Sequence, residues 1–547
     1  MPELNPIRLG TRASLLARTQ SATVGDALTA LSGRAWEEIL VHTPGDDTTT
    51  SLNQPGNPGL FVSTLRTALL AGEVDVIVHS FKDLPSALEP AISLAAVPLR
   101  EDPRDVLVCR DGLTLETLPP GAKVGTSSPR RAAMLLAIRP DLQIQPVRGN
   151  IDTRMRKAIE GEVDAVVLAY AGIARIGRTA VISEILDPLE IVPAPAQGAL
   201  AVECRTGDDI LDLIAQLQDP ISRITTAAER EVLVGINAQC STAIGAYATF
   251  NGSELVLTAE LFDRQERSRV HLRETLQVGD VMRARALGLR AAADLLRPSE
   301  FKPVLLVRAS DNEADAAALK SLGIASISDS YLQMTQSESA ADASRLLEAI
   351  RTGVDWFVVT SQMAIPSWAN LVGREALQAA FVSANQGGMK IAVVGEKTAE
   401  TVRALGVEVD LVPREQSAAG LIAEMPHPVG SVVFPHGSIA MRALPDGLVA
   451  SGAVVHEGVV YETTVVAHVP VSTLLLQEGH IGALILRSPS AARAVHQKLG
   501  GAASAPVVVS GPTTAVAATE LGFTVVGISE SPAAEDMAAA IHQYLTA

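Results

Sequence analysis

The sequence predicts a multidomain α/β protein, and three observations lead to this fold class. Short Val/Ile/Leu runs alternate with Ala-rich helical stretches along almost the whole chain, a pattern typical of α/β domains with buried parallel strands. Two sets of segments repeat this unit within the chain. The chain has 547 residues, more than one hydrophobic core normally serves, so we expect several domains.

The first internal repeat lies in the N-terminal half. The segment 72–78 (GEVDVIV) recurs as 161–167 (GEVDAVV), and each copy follows a helical stretch that contains Arg and Ala. Each copy predicts the end of a helix, a tight glycine turn and a buried strand. The first half is therefore predicted to hold two related α/β lobes, with a ligand cleft between them near the strand ends.

The second repeat predicts another pair of lobes in the C-terminal half. Segment 393–399 (VVGEKTA) matches 508–515 (VVSGPTTA) when Gly395 is aligned with Gly511. Segments 358–361 and 485–488 are also alike, and each closes a strand before a helix. A helical stretch from about 281 to 296 precedes the two prolines of segment 298–303, which predict a short, stiff linker between the halves.

Composition excludes several classes of function. Hydrophobic residues make up 47% and charged residues 19%, which indicates a globular protein, and the net charge of −17 disfavours nucleic acid or an anionic membrane as partner. No apolar run approaches the roughly 18 residues that span a bilayer, and the first six residues lack a signal-peptide pattern. Three cysteines are too few for a disulfide framework or a cysteine zinc site. We therefore expect a cytoplasmic protein without a metal.

The clearest functional signal is a set of arginines at strand-to-helix junctions. In segment 125–131 (GTSSPRR) the serines predict a helix N-cap and Pro129 the first helical residue. Cations in a first helical turn oppose the helix dipole, but they suit a ligand carboxylate that also binds free backbone N–H groups. A single arginine of this kind is usually just solvated. Together they predict a polycarboxylate site composed of Arg12, Arg130, Arg131, Arg148, Arg154 and Arg175.

A lysine and an aspartate follow the predicted strand 74–80. Lys82 and Asp83 emerge at its end, where the catalytic groups of α/β proteins usually lie. A carboxylate there would stabilise a cation that develops in a bound substrate. A plain Lys–Asp surface pair explains the position equally well.

These motifs together resemble those of the hydroxymethylbilane synthase (porphobilinogen deaminase) family over residues 5–296. The resemblance is carried by segments 11–14 (TRAS), 78–85 (VHSFKDLP), 100–105 (REDPRD), 125–131, 147–154 and 228–230 (AER). It implies two lobes like those of periplasmic binding proteins, a small α+β domain, and condensation of four porphobilinogen molecules to hydroxymethylbilane with release of ammonia. Asp83 would be the catalytic carboxylate. The arginines would bind acetate and propionate groups, with nearby contributions from Ser14, Lys82, Thr126, Ser127, Ser128, Gly149 and Gln197.

Cys240 receives its role from the same resemblance. It lies in segment 237–245 (NAQCSTAIG), between a predicted helix and a predicted strand, whereas Cys109 and Cys204 are predicted within strands. A loop cysteine is usually inert, but in this family it anchors a dipyrromethane cofactor covalently as a thioether, by thiolate chemistry. The sequence departs from the family pattern at Pro44, Pro58, Ala196, Ala238 and Gln239, which bears on loop mobility and carboxylate contacts.

From Lys302 onward the chain resembles the uroporphyrinogen-III synthase family. The matching segments are 304–308 (VLLVR), 358–361, 393–399, 460–463 (VYET), 487–490 (RSPS) and 511–515. The resemblance implies two Rossmann- or flavodoxin-like lobes, the first assembled from both ends of this half. It also implies cyclisation of hydroxymethylbilane to uroporphyrinogen III with inversion of the last ring. Loss of hydroxide needs a proton donor, for which Tyr461 is the candidate. Propionates would contact Ser361, Ser488, Thr513 and Thr514, although such residues equally often only cap helices.

The predicted domain limits follow from these resemblances. The first enzyme spans 1–298, with lobes at 5–98 plus 199–218 and at 99–198, and a cofactor-anchoring domain at 222–297. A linker at 299–303 leads to the second enzyme at 304–547, with lobes at 304–330 plus 466–547 and at 334–460. We expect a monomer that acts on small molecules.

Two alternatives to a bifunctional enzyme stay open at this point. The C-terminal half would be a regulatory or scaffold module, or the whole chain a non-catalytic two-lobed ligand-binding protein. A nucleotide site is disfavoured because the chain contains neither G-x-G-x-x-G nor the Walker pattern.

Overall fold

The computed structural model describes residues 5–41, 59–85, 89, 91–238, 242–263, 266–296, 301–309, 312–337, 339–415, 417–427, 429–439, 442–531 and 533–547. Three sheets form from the first half (residues 5–296) and two from the second half (301–547), and helices pack against them. The predicted mixed α/β, multidomain fold is confirmed.

The first half contains thirteen strands and eight helices among its described residues. Two 3₁₀ turns lie at Phe81–Asp83 and Thr179–Val181. In chain order the elements are β1 (Ile7–Thr11), α1 (Leu15–Ser32), β2 (Trp36–Leu40), α2 (Gly59–Leu70), β3 (Val76–Ser80), β4 (Ile92–Ala96), β5 (Asp105–Cys109), β6 (Lys123–Gly125), α3 (Pro129–Ile138), β7 (Gln143–Gln145), α4 (Ile151–Ile159), β8 (Ala165–Ala169), α5 (Tyr170–Arg175), β9 (Glu184–Ile185), β10 (Leu200–Arg205), α6 (Leu211–Ala215), α7 (Pro220–Gly235), β11 (Ala243–Phe250), β12 (Glu254–Asp263), β13 (Glu266–Thr275) and α8 (Val281–Leu295).

Two five-stranded sheets make up most of the first half. Their strand orders are β2–β1–β3–β10–β4 and β7–β6–β8–β5–β9. β1, β2 and β3 run parallel, but β10 is antiparallel to β3 and β4, and β5 is antiparallel to β8 and β9. The expectation of parallel strands is therefore wrong for β10 and β5, because an apolar run shows that a strand is buried but not its direction.

The remaining part of the first half is an α+β unit. β11, β12 and β13 form a three-stranded antiparallel sheet. α7 and α8 pack against each other and against this sheet through a core of Ala, Leu, Ile and Val side chains. The N-terminus of α7 is capped by Asp219, whose carboxylate accepts a hydrogen bond from the Ser222 N–H.

The second half contains ten strands and eleven helices among its described residues. In chain order they are β14 (Val304–Leu306), α9 (Asn312–Ser321), β15 (Ser326–Ser328), β16 (Leu332–Gln336), α10 (Ala340–Thr352), β17 (Trp356–Val359), α11 (Ala364–Val372), α12 (Arg374–Gln386), β18 (Lys390–Val393), α13 (Glu396–Arg403), α14 (Ala418–Glu424), β19 (Ser431–Gly437), α15 (Ala443–Ala450), β20 (Val454–Val465), α16 (Ser472–Gln477), β21 (Ala483–Leu486), α17 (Pro489–Leu499), β22 (Val507–Val509), α18 (Pro512–Glu520), β23 (Val525–Ile528) and α19 (Ala534–Thr546).

These strands form two further sheets. The order β15–β14–β21–β22–β23 is parallel throughout and combines strands from both ends of the second half. The order β16–β20–β19–β17–β18 is parallel except for β16, which pairs antiparallel with the far end of β20. Since parallel strands end at one edge of a sheet, the residues that follow β17, β18 and β19 meet at a common edge.

Both internal repeats are present in the structure. Gly72 and Gly161 have φ angles of +73° and +83°, and each occupies the turn between a helix and a strand. Positive φ explains why both turns use glycine. Gly395 and Gly511 have extended backbones and directly precede α13 and α18. Within the described part of the chain, no helix is both long and apolar enough to cross a membrane.

Candidate active sites

The 3₁₀ turn after β3 carries Lys82 and Asp83, as the position of the strand predicts. The Asp83 side chain is exposed. Arg230 of α7 holds this turn in place. Its guanidinium donates hydrogen bonds to the carbonyl oxygens of Phe81 (3.0 Å) and Leu84 (3.2 Å). The guanidinium carbon also lies 4.5 Å from the centre of the Phe81 ring. Burial lowers the pKa of Arg230 to about 10. No role for Arg230 is predicted from the sequence.

Lys82 is held close to several other charges. Its Nζ donates a 3.0 Å hydrogen bond to the side-chain oxygen of Gln197. Burial lowers the pKa of Lys82 to about 8, Asp83 opposes the shift, and Arg131 adds to it. The ammonium therefore lies close to Asp83 and to the positive charges of Arg130 and Arg131. We call these cations, together with Arg154, the cationic cluster. A bound carboxylate would offset part of their positive charge.

The two consecutive arginines of α3 pair with a buried carboxylate. Arg130 Nη2 and Arg131 Nη2 donate to the two oxygens of Asp105 at 2.7 and 2.6 Å, and Gln197 donates to the same carboxylate at 2.8 Å. Asp105 is fully buried, and both guanidinium groups are almost so. Burial alone would raise the pKa of Asp105, but Arg130 and Arg131 outweigh it and hold the pKa well below its ordinary value.

This pairing adds an internal partner to two arginines of the predicted polycarboxylate site. In the structure the guanidinium groups of Arg130 and Arg131 bind Asp105 and the carbonyl oxygens of Val192 and Val167, and their contact with a ligand stays a prediction. No role for Asp105 is predicted from the sequence. The signal was nevertheless present, because a carboxylate in an otherwise apolar strand requires a buried cation as partner.

The serine-rich turn before α3 forms as predicted. The Ser128 hydroxyl accepts a hydrogen bond from the Arg131 N–H as N-cap, and Pro129 is the first helical residue. Thr126 is buried and accepts from the Ser128 N–H, while the Ser127 hydroxyl donates to the Val147 carbonyl oxygen. These contacts fix the turn beside the cationic cluster.

A second turn of the same kind precedes α4. Asn150 caps the helix, and Gly149 has a φ of +109°, a backbone conformation that favours glycine. Arg154 Nε donates to the Gly149 carbonyl oxygen at 2.8 Å, and Arg148 is exposed. Burial and the charge of Arg131 lower the pKa of Arg154, whereas Asp83 raises it. Arg154 thus belongs to the cationic cluster around Asp83.

Three further predicted residues lie at neighbouring element ends. Arg12 follows β1 and is half-buried, and Ser14 caps α1 by accepting from the Ala17 N–H. Arg175 is the last residue of α5 and not part of a strand-to-helix junction, which corrects the prediction for that arginine. Its guanidinium donates to the Gly198 carbonyl oxygen at 2.6 Å, and burial lowers its pKa.

The turn that carries Gln197 is held by α7. Ala196 has a φ of +61°, a left-handed backbone conformation that favours glycine. The buried carboxylate of Glu229 accepts from the Ala196 N–H at 2.6 Å and from both terminal nitrogens of Arg100 at 2.8 Å. Glu229 is a second positioning residue for which the sequence predicts no role. Adjacent residues of α7 therefore hold the turns of Asp83 and of Gln197.

The predicted cofactor anchor cannot be placed. Cys240 lies outside the described residues, as do Gln239, Pro44 and Pro58. α7 ends at Gly235, and the chain is described again shortly before β11. Cys109 and Cys204 lie buried in β5 and β10 as predicted, and burial raises the pKa of the Cys204 thiol to about 11. The raised pKa of Cys204 disfavours a reactive thiolate at that position.

In the second half, Tyr461 lies on β20 against the end of β19. A Cβ atom at Gly437 would lie 2.5 Å from the ring carbon Cε2 of Tyr461 and 2.9 Å from its hydroxyl oxygen, so the glycine admits the phenol. Tyr461 packs on the apolar core of its sheet. Ser361 follows β17 at the same edge, where its hydroxyl accepts from the Met363 N–H. The structure thus brings Tyr461 and Ser361 to one edge.

The other predicted hydroxyls lie at the edge of the fully parallel sheet. Ser488 caps α17, because its hydroxyl accepts a hydrogen bond from the Ala491 N–H, and it contacts the Ser490 hydroxyl at 2.9 Å. This geometry is that of a helix-capping serine, the alternative to propionate binding. Thr513 is exposed in the first turn of α18, and Thr514 beside it is buried. Pro489 of α17 and Thr513 line one open cleft between these helices.

Family models match both halves of the chain. The model described as "Porphobilinogen deaminase, dipyromethane cofactor binding domain" matches residues 7–212, and "Porphobilinogen deaminase, C-terminal domain" matches 224–297. The model described as "Uroporphyrinogen-III synthase HemD" matches residues 313–539. The domain that holds the cationic cluster is therefore a dipyrromethane-binding domain.

Individual relatives agree with these matches. The porphobilinogen deaminase of Nocardia farcinica is 49% identical over 298 residues, which is 53% of this chain and 86% of that protein. The deaminase of Thermobifida fusca is 47% identical over 53% of this chain and 93% of its own length.

Among solved structures, a mutant uroporphyrinogen III synthase of Thermus thermophilus is 16% identical over 45% of this chain and 99% of its own, with a TM-score of 0.32. The uroporphyrinogen-III synthetase of Helicobacter pylori is 17% identical over 44% of this chain and 99% of its own, also with a TM-score of 0.32. The family models and relatives together show that the chain belongs to the porphobilinogen deaminase family, carries a uroporphyrinogen-III synthase domain as its second half, and is a bifunctional enzyme of heme biosynthesis.

Proposed function

We propose that Asp83 is the catalytic carboxylate with which the first half condenses four porphobilinogen molecules to hydroxymethylbilane. The observation that carries this proposal is an exposed carboxylate at a strand end, with the charges of Lys82 and Arg154 acting on it. When ammonia leaves porphobilinogen, positive charge develops on the pyrrole ring. The Asp83 carboxylate offsets this charge and accepts a hydrogen bond from the pyrrole N–H.

The same cluster fits the dipyrromethane cofactor. Acetate and propionate groups need cationic partners at a site open to ligand, and Lys82, Arg154 and the exposed Arg148 provide them beside the turns of α3 and α4. Arg12, Ser14, Thr126, Ser127, Ser128, Gly149 and Arg175 line the neighbouring element ends. When bound, the dipyrromethane would supply the free pyrrole carbon to which the first unit is joined, and each later unit would be joined to the ring added before it. We propose Cys240 as its covalent anchor.

In this proposal Arg130 and Arg131 act mainly through their positive charge. Their two guanidinium cations share the single carboxylate of Asp105, so the three side chains together carry a net positive charge beside the proposed cofactor site. In a buried environment this charge is weakly screened, so it favours polyanionic ligands in the cleft above. Gln197 links Asp105 to Lys82: its Nε2 donates a hydrogen bond to the Asp105 carboxylate, and its Oε1 accepts one from the Lys82 ammonium.

The mass of the intact, purified protein tests the covalent anchor. The wild-type chain is expected to carry an excess equal to two deaminated porphobilinogen units, and Cys240→Ser is expected to lack it, because serine is a far weaker nucleophile. Cys109→Ser serves as the control and is expected to retain the excess. A wild-type chain with the mass of its sequence alone contradicts the proposal.

The pKa of Lys82 leads to a pH dependence of the first reaction. Because Lys82 loses its proton at about pH 8, kcat/KM for porphobilinogen is expected to fall as pH rises through that value. Lys82→Arg keeps its charge and is expected to move this decline to higher pH. The measurement is kcat/KM as a function of pH for both proteins. If kcat/KM declines at the same pH in wild type and in Lys82→Arg, Lys82 does not bind the substrate carboxylates. The stability change has the opposite sign: the unfolded chain keeps this proton longer, so stability rises with pH above about 8.

For the second half, we propose Tyr461 as the hydrogen-bond or proton donor to the departing hydroxide of hydroxymethylbilane. The close approach of Gly437 supports this role, because it leaves space for the phenol at the edge where β19 ends. Ser361, Ser488, Thr513 and Thr514 would contact propionates from the edges of the two sheets. Ring closure with inversion then gives uroporphyrinogen III.

Replacing Tyr461 by phenylalanine tests this donor. The synthase rate is expected to fall by about 10²-fold, the lower range for loss of a general acid, and the isomer I fraction of the product is expected to rise. The deaminase reaction of the same chain should not change. Tyr544→Phe, at the exposed C-terminal helix, is the matched control. An unaltered ratio of isomers I and III in Tyr461→Phe would exclude the assignment.

We further propose the domain limits given above and a resemblance of the first two sheets to the lobes of periplasmic binding proteins. The strands support these limits: four of the five sheets lie wholly within their proposed units, and in the fifth only β16 (Leu332–Gln336) and β20 (Val454–Val465) extend beyond the limits 334 and 460. We also propose a cytoplasmic monomer that acts on small molecules and binds neither nucleic acid nor membrane. The net charge of −17 supports the exclusion of polyanionic partners.

A further inference from the structure

Helix α8 buries two different faces. Ala284, Leu287 and Ala291 pack into the core of the antiparallel sheet formed by β11, β12 and β13. Ala286 and Ala293, on another face, belong to a hydrophobic core made mostly of second-half residues. These partners include Leu305, Val307, Tyr331, Leu475 and Leu484. One helix of the first enzyme therefore completes the core of the second.

Polar contacts surround this shared core. Arg283 of α8 donates to Glu274 of β13 at 2.9 Å and to Glu478, just after α16, at 3.1 Å. Lys302 Nζ donates to the Gly479 carbonyl oxygen at 2.7 Å. Ala286, Leu475 and their neighbours enclose only a water-sized space of about 10 Å³. An apolar centre with a charged rim is the composition of a stable protein interface.

A group of charges, of which Glu231 is buried and Arg285 and Asp329 are partly exposed, lies beside the apolar centre. Arg285 of α8 donates to Glu231 of α7 at 2.7 Å. Asp329 of the second half accepts from the Ser472 N–H at 2.8 Å. Burial raises the pKa of Asp329, and contacts with Ser472 and the charge of Arg285 offset part of that increase. Arg285 thus binds an acid of the first half and lies within electrostatic range of an acid of the second half.

We propose that the second half docks on α8 through this noncovalent interface, so that the two enzymes stay associated without their peptide linker. The partner of the α8 face is the unit formed by β14, β15, β21, β22 and β23. The cofactor-anchoring domain and this unit move as one body. The interface belongs to the fusion: the segment shared with the Thermobifida fusca deaminase already makes up 93% of that protein, which leaves no room for a second half of this size.

Cleavage of the linker in the full-length enzyme tests the proposal. A protease recognition sequence inserted between Ser299 and Glu300 allows the chain to be cut after folding. At micromolar concentration, the two fragments are expected to elute together in size-exclusion chromatography, at the position of the intact 57.2 kDa chain. Separate elution of the two fragments would overturn the proposal.

Two variants identify the surface. Ala286→Glu places an unpaired charge in the shared core and is expected to separate the cut fragments, while Val278→Glu, an exposed position before α8, is not. If the cut fragments of Ala286→Glu still elute together, the assignment of this face of α8 to the interface is wrong. Should Ala286→Glu lose deaminase activity before cleavage, Glu478→Arg gives an independent test: it is expected to weaken association by about fivefold, and Arg283→Glu added to it should restore binding. Equal association of the cut fragments in wild type, Glu478→Arg and the double variant Arg283→Glu/Glu478→Arg would also contradict the proposal.

Discussion

Replacing Asp105 by asparagine is expected to lower the free energy of unfolding of the first half by about 3–5 kcal/mol, the cost of breaking a buried ion pair on one side. The substitution keeps the shape of the side chain but leaves Arg130 and Arg131 buried without a counter-charge. It also weakens the hydrogen bond that fixes Gln197. Urea denaturation monitored by circular dichroism measures the change.

A pair with an exposed carboxylate in the same region provides the control. Asp141 forms a 2.7 Å ion pair with Arg139, but its side chain is 37% exposed, so solvent screens the pair and Asp141→Asn is expected to cost much less stability than Asp105→Asn. A loss no larger for Asp105→Asn than for this control would contradict the buried pairing.

The difference between wild type and Asp105→Asn is expected to depend on pH. The pKa of Asp105 is lowered on folding, so the unfolded chain binds its proton first and the carboxylate stabilises the fold above its ordinary pKa of about 4. This contribution is complete at neutral pH and is lost as pH falls toward the lowered value. The two proteins should therefore differ less in acid.

Replacing Asp83 by asparagine is expected to reduce kcat of the deaminase reaction by about 10²–10⁴-fold, the range for loss of a group that stabilises charge and moves a proton. The side chain is exposed, so little loss of stability is expected. The covalently bound cofactor should still be present if its assembly tolerates the change. Single-turnover release of ammonia, with the mass of the protein as a check on cofactor, measures the effect.

Asp111→Asn is the matched control, since this carboxylate is also exposed in the first half and pairs with the exposed Arg110 at 3.4 Å. It is expected to leave kcat unchanged. A decrease of less than tenfold in kcat for Asp83→Asn would assign the charge stabilisation to another group.

Local features of the fold could be predicted because neighbouring residues determine them. The cap at Ser128, the proline that opens α3, and the glycine turns at 72 and 161 all lie where the sequence predicts them. Each depends on hydrogen bonds or φ angles within a few residues. The position of Asp83 at the end of β3 follows from the same local pattern.

Long-range pairing could not be predicted in the same way. Asp105 and Arg131 are 26 positions apart, and Arg100 and Glu229 are 129 apart. These pairs form only after β5, α3 and α7 have packed, and the order of residues along the chain contains no direct record of that packing. The antiparallel direction of β10 has the same origin, because it depends on where the chain returns to the first sheet.

Glu229 and Arg230 are consecutive residues, yet one holds the turn of Gln197 and the other the turn of Asp83. In a genetic screen for inactive alleles, substitutions at Glu229 and Arg230 are therefore expected beside substitutions of Asp83, although both side chains bind only other parts of the protein in the structure. Second-site suppressors are expected in the two turns and not among the residues that bind substrate. Helix α7 thus couples two turns that lie far apart in the sequence.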